Sequence, residues 1–517
     1  MKERIGLIDI GSNSIRLVVF QIENNLSFKE IQNIKMPARI YQYIDDDNVM
    51  SQEGIDVLVH VMKAFAKESE ILKADCIIPK ATAAIRQSKN QQEILQAVKV
   101  ATDISIDIVP EEMEAFYGFN AIIHSMAYRD GVSVDIGGGS TEITYFKDKK
   151  IVASHSFDFG AVSLTEKFFK KGDNTDKKAL EKTREFVRKA FKDNDFMKGV
   201  DLPVIAIGGS ARNVARVHQM ENDYTLAGLH NYEMSLEDVD QVFDLFSSTS
   251  VKDLKKLDGL SSERADIITP AVIVFQELLA IVEAPNFIFS QRGLREGILY
   301  EYMENKYPDA FDIDHVANQT VERLTGAYNF SMSDGAQRMM NAKKVYNALH
   351  EAGYLDYNEH ELELLAFGAY LYYIGDIIEP GNASQHTYYM LSNSNLNGFT
   401  HKERVALSIL ASYKNRTLFK DYLHNFGDWF SDKNSDLLQA MGGLIKFSEC
   451  LNDSHSNIVK TIDIVKKNDQ LILRIFYTGT LISEIHRSES QKKHVERIID
   501  EDITVEFINQ ASYKQII

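Results

Sequence analysis

The segment Asp135-Ile136-Gly137-Gly138-Gly139-Ser140-Thr141 decides how this chain is interpreted, because an earlier segment, Asp9-Ile10-Gly11-Ser12-Asn13-Ser14, resembles it closely. Each segment follows an apolar run and precedes an alternating one, which predicts a turn between two strands. Glycine lets backbone N–H groups approach an anion, and the serine and threonine hydroxyls add hydrogen-bond donors. Both segments therefore have the features of phosphate-binding loops.

The aspartates that open the two loops, Asp9 and Asp135, need a different role, because a carboxylate repels phosphate. Holding Mg²⁺ between carboxylate and phosphate oxygens is the simplest role. The order of strands and helices after the first loop repeats after the second, which predicts a duplicated domain. Two such lobes would place both loops across one cleft.

A third glycine turn begins at Gly208, directly after the apolar run 204–207. It stands at the predicted start of a helix, where backbone N–H groups favour anions. A close contact between helix and strand is the alternative interpretation of the same glycines.

Composition excludes several classes of protein. The chain has 517 residues, two cysteines and a net charge of −18. The cysteine number leaves no disulfide framework, and the acidic balance argues against a general nucleic-acid binder, although a local basic channel can still bind a polyanion. With no signal-peptide core and no membrane-spanning apolar run, we expect a cytoplasmic protein with no membrane and no nucleic-acid partner.

Periodicity predicts an α/β chain of four parts. Residues 1–128 and 129–305 form the two lobes, residues 311–455 an all-helical domain, and residues 456–517 a small α+β cap. Within the first lobe, residues 83–101 are predicted to form one helix.

Six motifs together resemble the exopolyphosphatase and guanosine pentaphosphate phosphohydrolase family, Ppx/GppA. The motifs are residues 9–14 (DIGSNS), 81–86 (ATAAIR), 111–115 (EEMEA), 135–142 (DIGGGSTE), 208–212 (GGSAR) and 293–297 (GLREG). The resemblance covers nearly the whole chain and is strongest to the long exopolyphosphatases. It implies two actin-like (ribonuclease H-like) lobes around a cleft, followed by a helical HD-like domain and the cap.

The resemblance also implies roles for residues. Glu114 matches the general base and Arg86 a catalytic arginine on the substrate, while Asp135, Glu142 and Asp9 would hold Mg²⁺ or Mn²⁺. The expected substrate-binding residues are Gly11, Ser12, Asn13, Ser14, Arg16, Gly137, Gly138, Gly139, Ser140, Thr141, Gly208, Gly209 and Ser210.

Arg16 and Glu142 stand at equivalent positions of the two repeats and carry opposite charges. We therefore assign Arg16 to phosphate and Glu142 to the metal, which makes the predicted cleft asymmetric.

The helical domain departs from the family pattern. Many long members have a His-Asp metal motif in the helix that here reads as residues 369–375 (AYLYYIG), where tyrosines replace both ligands. We expect an HD-like scaffold without the HD metal pair and without phosphohydrolase activity of its own. Its cations Lys402, Arg404, Lys414 and Arg416 are candidates for a basic track along a long polyphosphate.

The resemblance implies an exopolyphosphatase that hydrolyses the terminal phosphoanhydride of inorganic polyphosphate and releases orthophosphate. Two alternatives stay open: a guanosine pentaphosphate 5′-phosphohydrolase, and a nucleotide-binding kinase or sensor of the actin superfamily. The family also implies a homodimer. We expect the lobes to close on substrate, with residues 126–131 as the flexible crossing between them.

Overall fold

The computed structural model describes residues 2–169, 173–327 and 331–510. The predicted domain ranges also include residues 1, 170–172, 328–330 and 511–517, which lie outside the described residues. The chain divides into two compact units, residues 1–224 with 229–316, and residues 317–517 with 225–228.

The first lobe is built on a sheet with the strand order β3-β2-β1-β4-β5. Strands β1, β2 and β3 are antiparallel, and β4 runs parallel to β1. Its elements are β1 (Glu3–Ile10), β2 (Ile15–Ile22), β3 (Phe28–Met36), α1 (Gln52–Ile71), β4 (Cys76–Ala81), α2 (Ala83–Arg86), α3 (Gln91–Thr102), β5 (Asp107–Ile108) and α4 (Glu111–Ile123).

The second lobe repeats this plan in a sheet with the order β10-β11-β9-β6-β7-β8. Strands β6, β7 and β8 are antiparallel and β9 runs parallel to β6, as in the first lobe. Its elements are β6 (Gly131–Ile136), β7 (Thr141–Lys147), β8 (Lys150–Phe157), α5 (Ala161–Phe168), α6 (Lys177–Lys192), β9 (Val204–Ile207), α7 (Gly208–Glu221), β10 (Tyr232–Met234), α8 (Leu236–Ser248), α9 (Val251–Leu254), α10 (Ile268–Val282), β11 (Phe287–Phe289) and α11 (Leu294–Lys306).

The predicted single helix over residues 83–101 is wrong, because α2 ends at Arg86 and α3 begins at Gln91. Between them, the Asn90 side chain donates to the Met50 carbonyl at 2.9 Å and accepts from the Met50 amide at 2.9 Å. The Lys89 amide also donates to the Asn48 carbonyl at 2.7 Å, so a distant part of the chain takes up the main-chain donor that would continue the helix.

Helices α4 and α11 cross at very short range inside the first unit. A Cβ atom added at Gly297 would lie 2.0 Å from the Tyr117 carbonyl oxygen, so only glycine fits there. The Asn120 side chain donates to the Gly297 carbonyl at 3.1 Å across the same contact. The crossing fixes the relative positions of the first turns of both helices.

The crossing between the lobes, residues 124–130, has no helix or strand. Its backbone is nevertheless attached to the β7–β8 turn, since the Lys149 amide donates to the Arg129 carbonyl at 2.8 Å and the Asp148 amide to the Asp130 side chain at 2.7 Å. Lobe closure about this segment stays a prediction.

The second unit is mostly helical and ends in a three-stranded sheet with the order β12-β13-β14. Within the described residues its elements are α12 (Val316–Ala327), α13 (Met332–Glu351), α14 (Glu359–Tyr370), α15 (Ala383–Ser392), α16 (His401–Ala411), α17 (Arg416–Leu423), α18 (Asp432–Cys450), β12 (Val459–Lys467), β13 (Gln470–Tyr477), α19 (Ser483–Gln491), α20 (Lys493–Ile499) and β14 (Ile503–Asn509).

The tyrosines found in place of the His-Asp motif are packed within this unit. The rings of Tyr372 and Tyr373 stack at 4.1 Å, and the Tyr372 hydroxyl donates to the Tyr413 carbonyl at 2.9 Å. Arg338 donates to the carbonyls of Ala369 and Tyr372. These groups form a packed polar core.

One member of the expected basic track is wrong. Arg404 is 2% exposed, and its guanidinium donates to the carbonyls of Ser394 and Ala227. Its charge therefore stabilises buried backbone, whereas Lys402, Lys414 and Arg416 are exposed.

Within the described part of the chain, no helix is long and apolar enough to cross a lipid bilayer.

We expect Gly297→Ala to unfold the first unit at a lower temperature. The added methyl group would meet backbone atoms of Tyr117, which cannot move without separating α4 from α11. The loss of unfolding free energy should be about 3 kcal/mol, measured by thermal or urea denaturation. Gly427→Ala, where an added Cβ meets nothing within 4 Å, is the matched control. Equal melting of both variants would contradict the tight crossing.

We expect the second unit to lose stability between pH 6.5 and pH 4. Burial, and then the charges of Lys446, Arg497 and Lys493, lower the pKa of His494 to about 4. Protonation of His494 is therefore favoured in the unfolded chain. The full stability is present above the unfolded pKa of 6.5, and it decreases as the pH is lowered from there toward 4. The loss at pH 5 should be about 2 kcal/mol, measured by denaturation at pH 7 and pH 5.

His494→Phe should lose this pH dependence while keeping the ring contact with Tyr413, whose centroid lies 6.1 Å away. His424→Gln changes an exposed histidine and should retain the wild-type dependence. An unaltered dependence in His494→Phe would show that other groups cause it.

Candidate active site

A cavity of about 560 Å³ lies between the two lobes of the first unit. The two predicted phosphate loops, the first turn of α7 and the first turn of α11 all line it. The predicted residues that line the cavity are Asp9, Gly11, Ser12, Asn13, Ser14, Arg16, Glu114, Asp135, Gly137, Gly138, Gly139, Ser140, Gly208 and Gly209. The structure places Arg86, Thr141, Glu142 and Ser210 outside this lining.

The two loops have the same backbone turn. The Gly11 amide donates to the Ser14 carbonyl at 3.1 Å, and the Gly137 amide donates to the Ser140 carbonyl at 2.9 Å. A Cβ added at either glycine would lie 3.3 Å from that same carbonyl oxygen. The sequence repeat is therefore also a repeat of local geometry.

Other elements hold the carbonyl groups of both loops. In the first loop, the carbonyls of Ser12 and Asn13 accept from the backbone amides of residues 41 and 39, at 3.2 and 2.9 Å. In the second, the carbonyls of Gly137 and Gly138 accept from the first amides of α5, at 3.0 and 2.9 Å. With the carbonyls held in this way, the peptide N–H groups are available to an anion.

The amides of Ser12, Asn13, Gly138 and Gly139 make no hydrogen bond to the part of the chain that the structure describes. The loops also face each other closely, since a Cβ added at Gly138 would lie 3.8 Å from the Ser12 Cβ. One phosphate group can therefore meet donors from both lobes.

The glycine before α5 makes this arrangement possible. A Cβ added at Gly160 would lie 2.6 Å from the Gly137 carbonyl oxygen and 2.7 Å from the Gly138 carbonyl carbon. A larger residue would push the second loop away from the helix.

The third glycine turn contacts a site carboxylate. Gly208 has φ +84°, a backbone conformation that favours glycine. A Cβ added there would lie 2.3 Å from the Asp135 Oδ1. The Asp135 carboxylate is thus packed on the backbone at the start of α7. The interpretation as a tight contact applies at this turn, which also lines the cavity, whereas anion binding there stays a prediction.

Strand register sets the charges beside each loop. Asp9 on β1 is directly opposite Arg16 on β2, and Asp135 on β6 is directly opposite Glu142 on β7. The equivalent positions therefore hold an acid–base pair in the first lobe and an acid–acid pair in the second.

The acid–acid pair has strongly perturbed acidity. Burial, reinforced by the charges of Glu114 and Asp9, raises the pKa of Asp135 to about 7. Burial, reinforced by Glu114 and Asp135, raises the pKa of Glu142 to about 8. Burial also raises the pKa of Asp9, although Arg295 and Arg16 oppose that rise.

Glu142 is 4% exposed and lies behind the cavity surface, where it accepts a hydrogen bond from the Ser156 hydroxyl at 3.1 Å. Thr141 and Ser210 are also buried. The Thr141 hydroxyl donates to the Phe159 carbonyl at 2.7 Å, so it supports the loop from behind.

Glu114 and Arg86 form an ion pair at the edge of the cavity. Arg86 Nη1 donates to Glu114 Oε2 at 2.8 Å and to the Val109 carbonyl at 3.0 Å. Burial raises the pKa of Glu114, and Arg86 opposes that rise. Arg86 therefore contacts the predicted base from behind, and its direct contact with substrate stays a prediction.

Six cations line the cavity, and the sequence assigns only Arg16 of them to the site. Arg212 and Arg295 belong to the family motifs at residues 208–212 and 293–297, which could have predicted both. Lys35, Arg216 and Arg264 belong to no motif. The six are Arg16, Lys35, Arg212, Arg216, Arg264 and Arg295.

Several of these arginines are close enough to repel one another. Burial and the charges of Arg295 and Arg264 lower the pKa of Arg212, and burial and the charges of Arg295 and Arg212 lower the pKa of Arg16. Such a concentration of mutually repelling arginines beside phosphate loops favours a polyvalent anion.

No group of three or more histidine, cysteine, aspartate or glutamate side chains that could hold a metal ion occurs in the described residues. Four carboxylates line the cavity, those of Asp9, Glu114, Asp135 and Glu263, and Asp9 and Asp135 are the two that open the phosphate loops. Mg²⁺ is commonly bound by one or two carboxylates together with waters and substrate phosphates. The residues present fit an ion of that kind.

Two family models together match most of this chain. The family model described as the Ppx/GppA phosphatase family matches residues 18–306, and that of Ppx/GppA phosphatase, domain III, matches residues 316–484.

Two curated relatives match at different lengths. A bifunctional 3-dehydroquinate synthase/phosphatase of Fusobacterium nucleatum is 27% identical over 58% of this chain, and the match spans 46% of that protein. A guanosine-5′-triphosphate,3′-diphosphate pyrophosphatase of Pseudoalteromonas translucida is 24% identical over 92% of each chain.

Solved structures match more than half of this chain. The Ppx/GppA family member of Aquifex aeolicus is 26% identical, with a TM-score of 0.53, over 59% of this chain and 99% of its own. An exopolyphosphatase of Cytophaga hutchinsonii shares the fold, at 21% identity and a TM-score of 0.53 over 59% of this chain and 98% of its own. The predicted α/β fold of two actin-like lobes, a helical domain and a small cap is confirmed. The chain belongs to the Ppx/GppA phosphatase family.

Proposed function

We propose that this family hydrolase removes the terminal phosphate of linear inorganic polyphosphate and releases orthophosphate. The observation that carries the proposal is the set of six cations beside two phosphate loops. None of the described residues that line the cavity is aromatic, so no ring is available there to stack on a nucleobase. A chain of phosphates fits such a surface better than a nucleotide base does.

Binding begins with the loops. The amides of Ser12, Asn13, Gly138 and Gly139 are available to the oxygens of the terminal phosphate. Arg16 and Arg295 would hold the next phosphates, because a planar guanidinium donates two hydrogen bonds to such oxygens. Preorganised donors of this kind stabilise the charge that spreads over the transferred group.

Glu114 is the proposed general base. The Arg86 guanidinium at 2.8 Å favours its ionised form against the effect of burial. Its carboxylate would orient a water molecule and accept its proton as the water oxygen bonds to the terminal phosphorus. The bridging P–O bond breaks, and the shortened chain leaves with the electron pair. Arg86 is thus proposed as a positioning residue for Glu114.

Mg²⁺ or Mn²⁺ is the proposed cofactor. When bound, such an ion neutralises phosphate oxygens and the carboxylates that flank them. Asp9 and Asp135 would hold it from the cavity surface, and Glu142 would support it from behind.

Guanosine pentaphosphate 5′-phosphohydrolysis is the second candidate function. It is favoured by the similarity to the Pseudoalteromonas protein over 92% of both chains. Both substrates end in the same phosphoanhydride, so the loops and Glu114 would serve either one. The homodimer and the cytoplasmic location stay predictions.

We expect orthophosphate release from long-chain polyphosphate with Mg²⁺ to exceed release from guanosine pentaphosphate and ATP, assayed in parallel. Preference for pentaphosphate would support the second candidate. Release from none of the three substrates would contradict a phosphohydrolase and favour a binding or sensing protein.

Glu114→Gln should lower kcat by about 100-fold or more, because the amide cannot accept the proton from water. Glu112→Gln, two residues away and exposed, is the matched control and should retain activity. Comparable losses in both variants would point to damage of α4 instead of loss of the base.

We expect Glu142→Gln to raise the melting temperature of the metal-free protein at pH 8. The substitution removes a buried charge that Glu114 and Asp135 repel, and its amide can keep the contact with Ser156. The gain should be about 1 kcal/mol, or about 2 °C. Differential scanning calorimetry in EDTA would measure it.

The same variant should show a smaller rise in melting temperature on addition of Mg²⁺ than the wild type. Glu166→Gln removes an exposed charge of the same lobe and should change neither value. A lower melting temperature of Glu142→Gln in EDTA would contradict the proposed repulsion.

A further inference from the structure

Lys35 and Glu263 form an ion pair between the two lobes at the cavity. Lys35 stands on β3 of the first lobe, and Glu263 lies in the segment before α10 of the second. Both residues line the cavity, and their side chains are 30% and 31% exposed. The pair therefore closes one side of the cleft with groups that solvent can reach.

On the first lobe, Lys35 continues a row of charges. Strand register places Asp9 opposite Arg16 and Arg16 opposite Lys35, so the three side chains lie on one face of the sheet. Two cations directly opposite each other are unfavourable unless an anion lies between or beside them. Glu263 supplies that anion in the absence of substrate.

On the second lobe, Glu263 is carried by a segment docked on α7. The Ser261 amide donates to the Asn213 side chain at 2.6 Å, and Arg264 donates to the Ser210 hydroxyl at 3.2 Å. A Cβ added at Gly259 would lie 3.0 Å from the Arg216 backbone, so the segment has little room to move. Glu263 is thus presented to Lys35 from a fixed base.

Glu263 differs from the other carboxylates of the cavity. Lys35 holds its pKa below the usual range, whereas burial and mutual repulsion raise the pKa of Asp9, Glu114 and Asp135. Burial lowers the pKa of Arg264, and the charges of Glu263 and Asp135 oppose that change.

We propose that Glu263 is a gate residue that selects phosphate chains by length. A short chain ends among the arginines and leaves the Lys35–Glu263 pair in place. A longer chain has to replace Glu263 on Lys35 and pass its carboxylate. A partly exposed ion pair of this kind is weak, so a polyvalent phosphate chain can displace it. Only a chain long enough to reach Lys35 gains the contacts that compensate for breaking the pair.

The proposal rests on the proposed function of the same cleft. The test measures KM for long-chain polyphosphate and divides it by KM for tripolyphosphate. In Glu263→Gln the ratio should fall about five-fold, the size expected for the loss of one weak ion pair. Glu181→Gln, an exposed glutamate on α6, should keep the wild-type ratio.

Two lysine variants make the test independent of damage to the fold. Lys35→Arg keeps a cation opposite Glu263 and should keep the ratio near the wild-type value. Lys35→Gln removes a cation that only longer chains reach and should raise it. A wild-type ratio in Glu263→Gln, or an equal fall in Glu181→Gln, would overturn the gate.

Equilibrium binding separates this inference from the proposed function. Isothermal titration of the same two phosphate chains into Glu114→Gln, with and without Glu263→Gln, gives a ratio of Kd values without hydrolysis. If the wild type released phosphate from no chain, the proposed function would fail. The ratio of Kd values would still decide whether Glu263 discriminates chain length.

Discussion

The contact between Gly297 and the Tyr117 carbonyl is the constraint on which the site depends. It lets the backbones of α4 and α11 approach closely where the helices cross, and both helices begin at the cavity. Glu114 lies in the first turn of α4 and Arg295 in the first turn of α11. The backbone contact at Gly297 therefore sets the distance between the proposed general base and an arginine that is proposed to bind substrate. Each lobe also supplies one phosphate loop to the cavity.

Around this crossing, the cleft separates charge. Carboxylates gather where β1 and β6 end, and cations gather along α7, α11 and the row through β2 and β3. Burial, and then repulsion among its own members, destabilises the charged form of each group, as the raised acid pKa values and lowered arginine pKa values indicate. The proposed substrate, a polyvalent anion, would neutralise the cations, and the proposed divalent cation would neutralise the carboxylates. The free protein would thus be less stable at this site than the complex.

The sequence contained the parts of the site that depend on local geometry. Glycines and an aspartate at the end of a strand predicted both loops, and the equivalent positions of Arg16 and Glu142 predicted the cleft's asymmetry. Other residues had no local signal. Strand pairing brings Lys35 to the cavity, and a loop docked on α7 brings Arg264. The Asn90 side chain bonds to the Met50 backbone where a continuous helix was predicted. The buried guanidinium of Arg404 donates to a carbonyl that its own helix does not supply.

The anchoring of the loop carbonyls has a consequence for ion selectivity. A peptide group can bind either an anion or a cation if it is able to flip, because its N–H and C=O point in opposite directions. In both loops the carbonyls are fixed by amides of residues 39–41 and of α5, so reversal would break several hydrogen bonds at once. The loops therefore present N–H groups to anions and cannot turn their carbonyls toward a cation. A metal ion bound in this cleft would therefore be held by the carboxylates or by the phosphate itself, and not by the loop carbonyls.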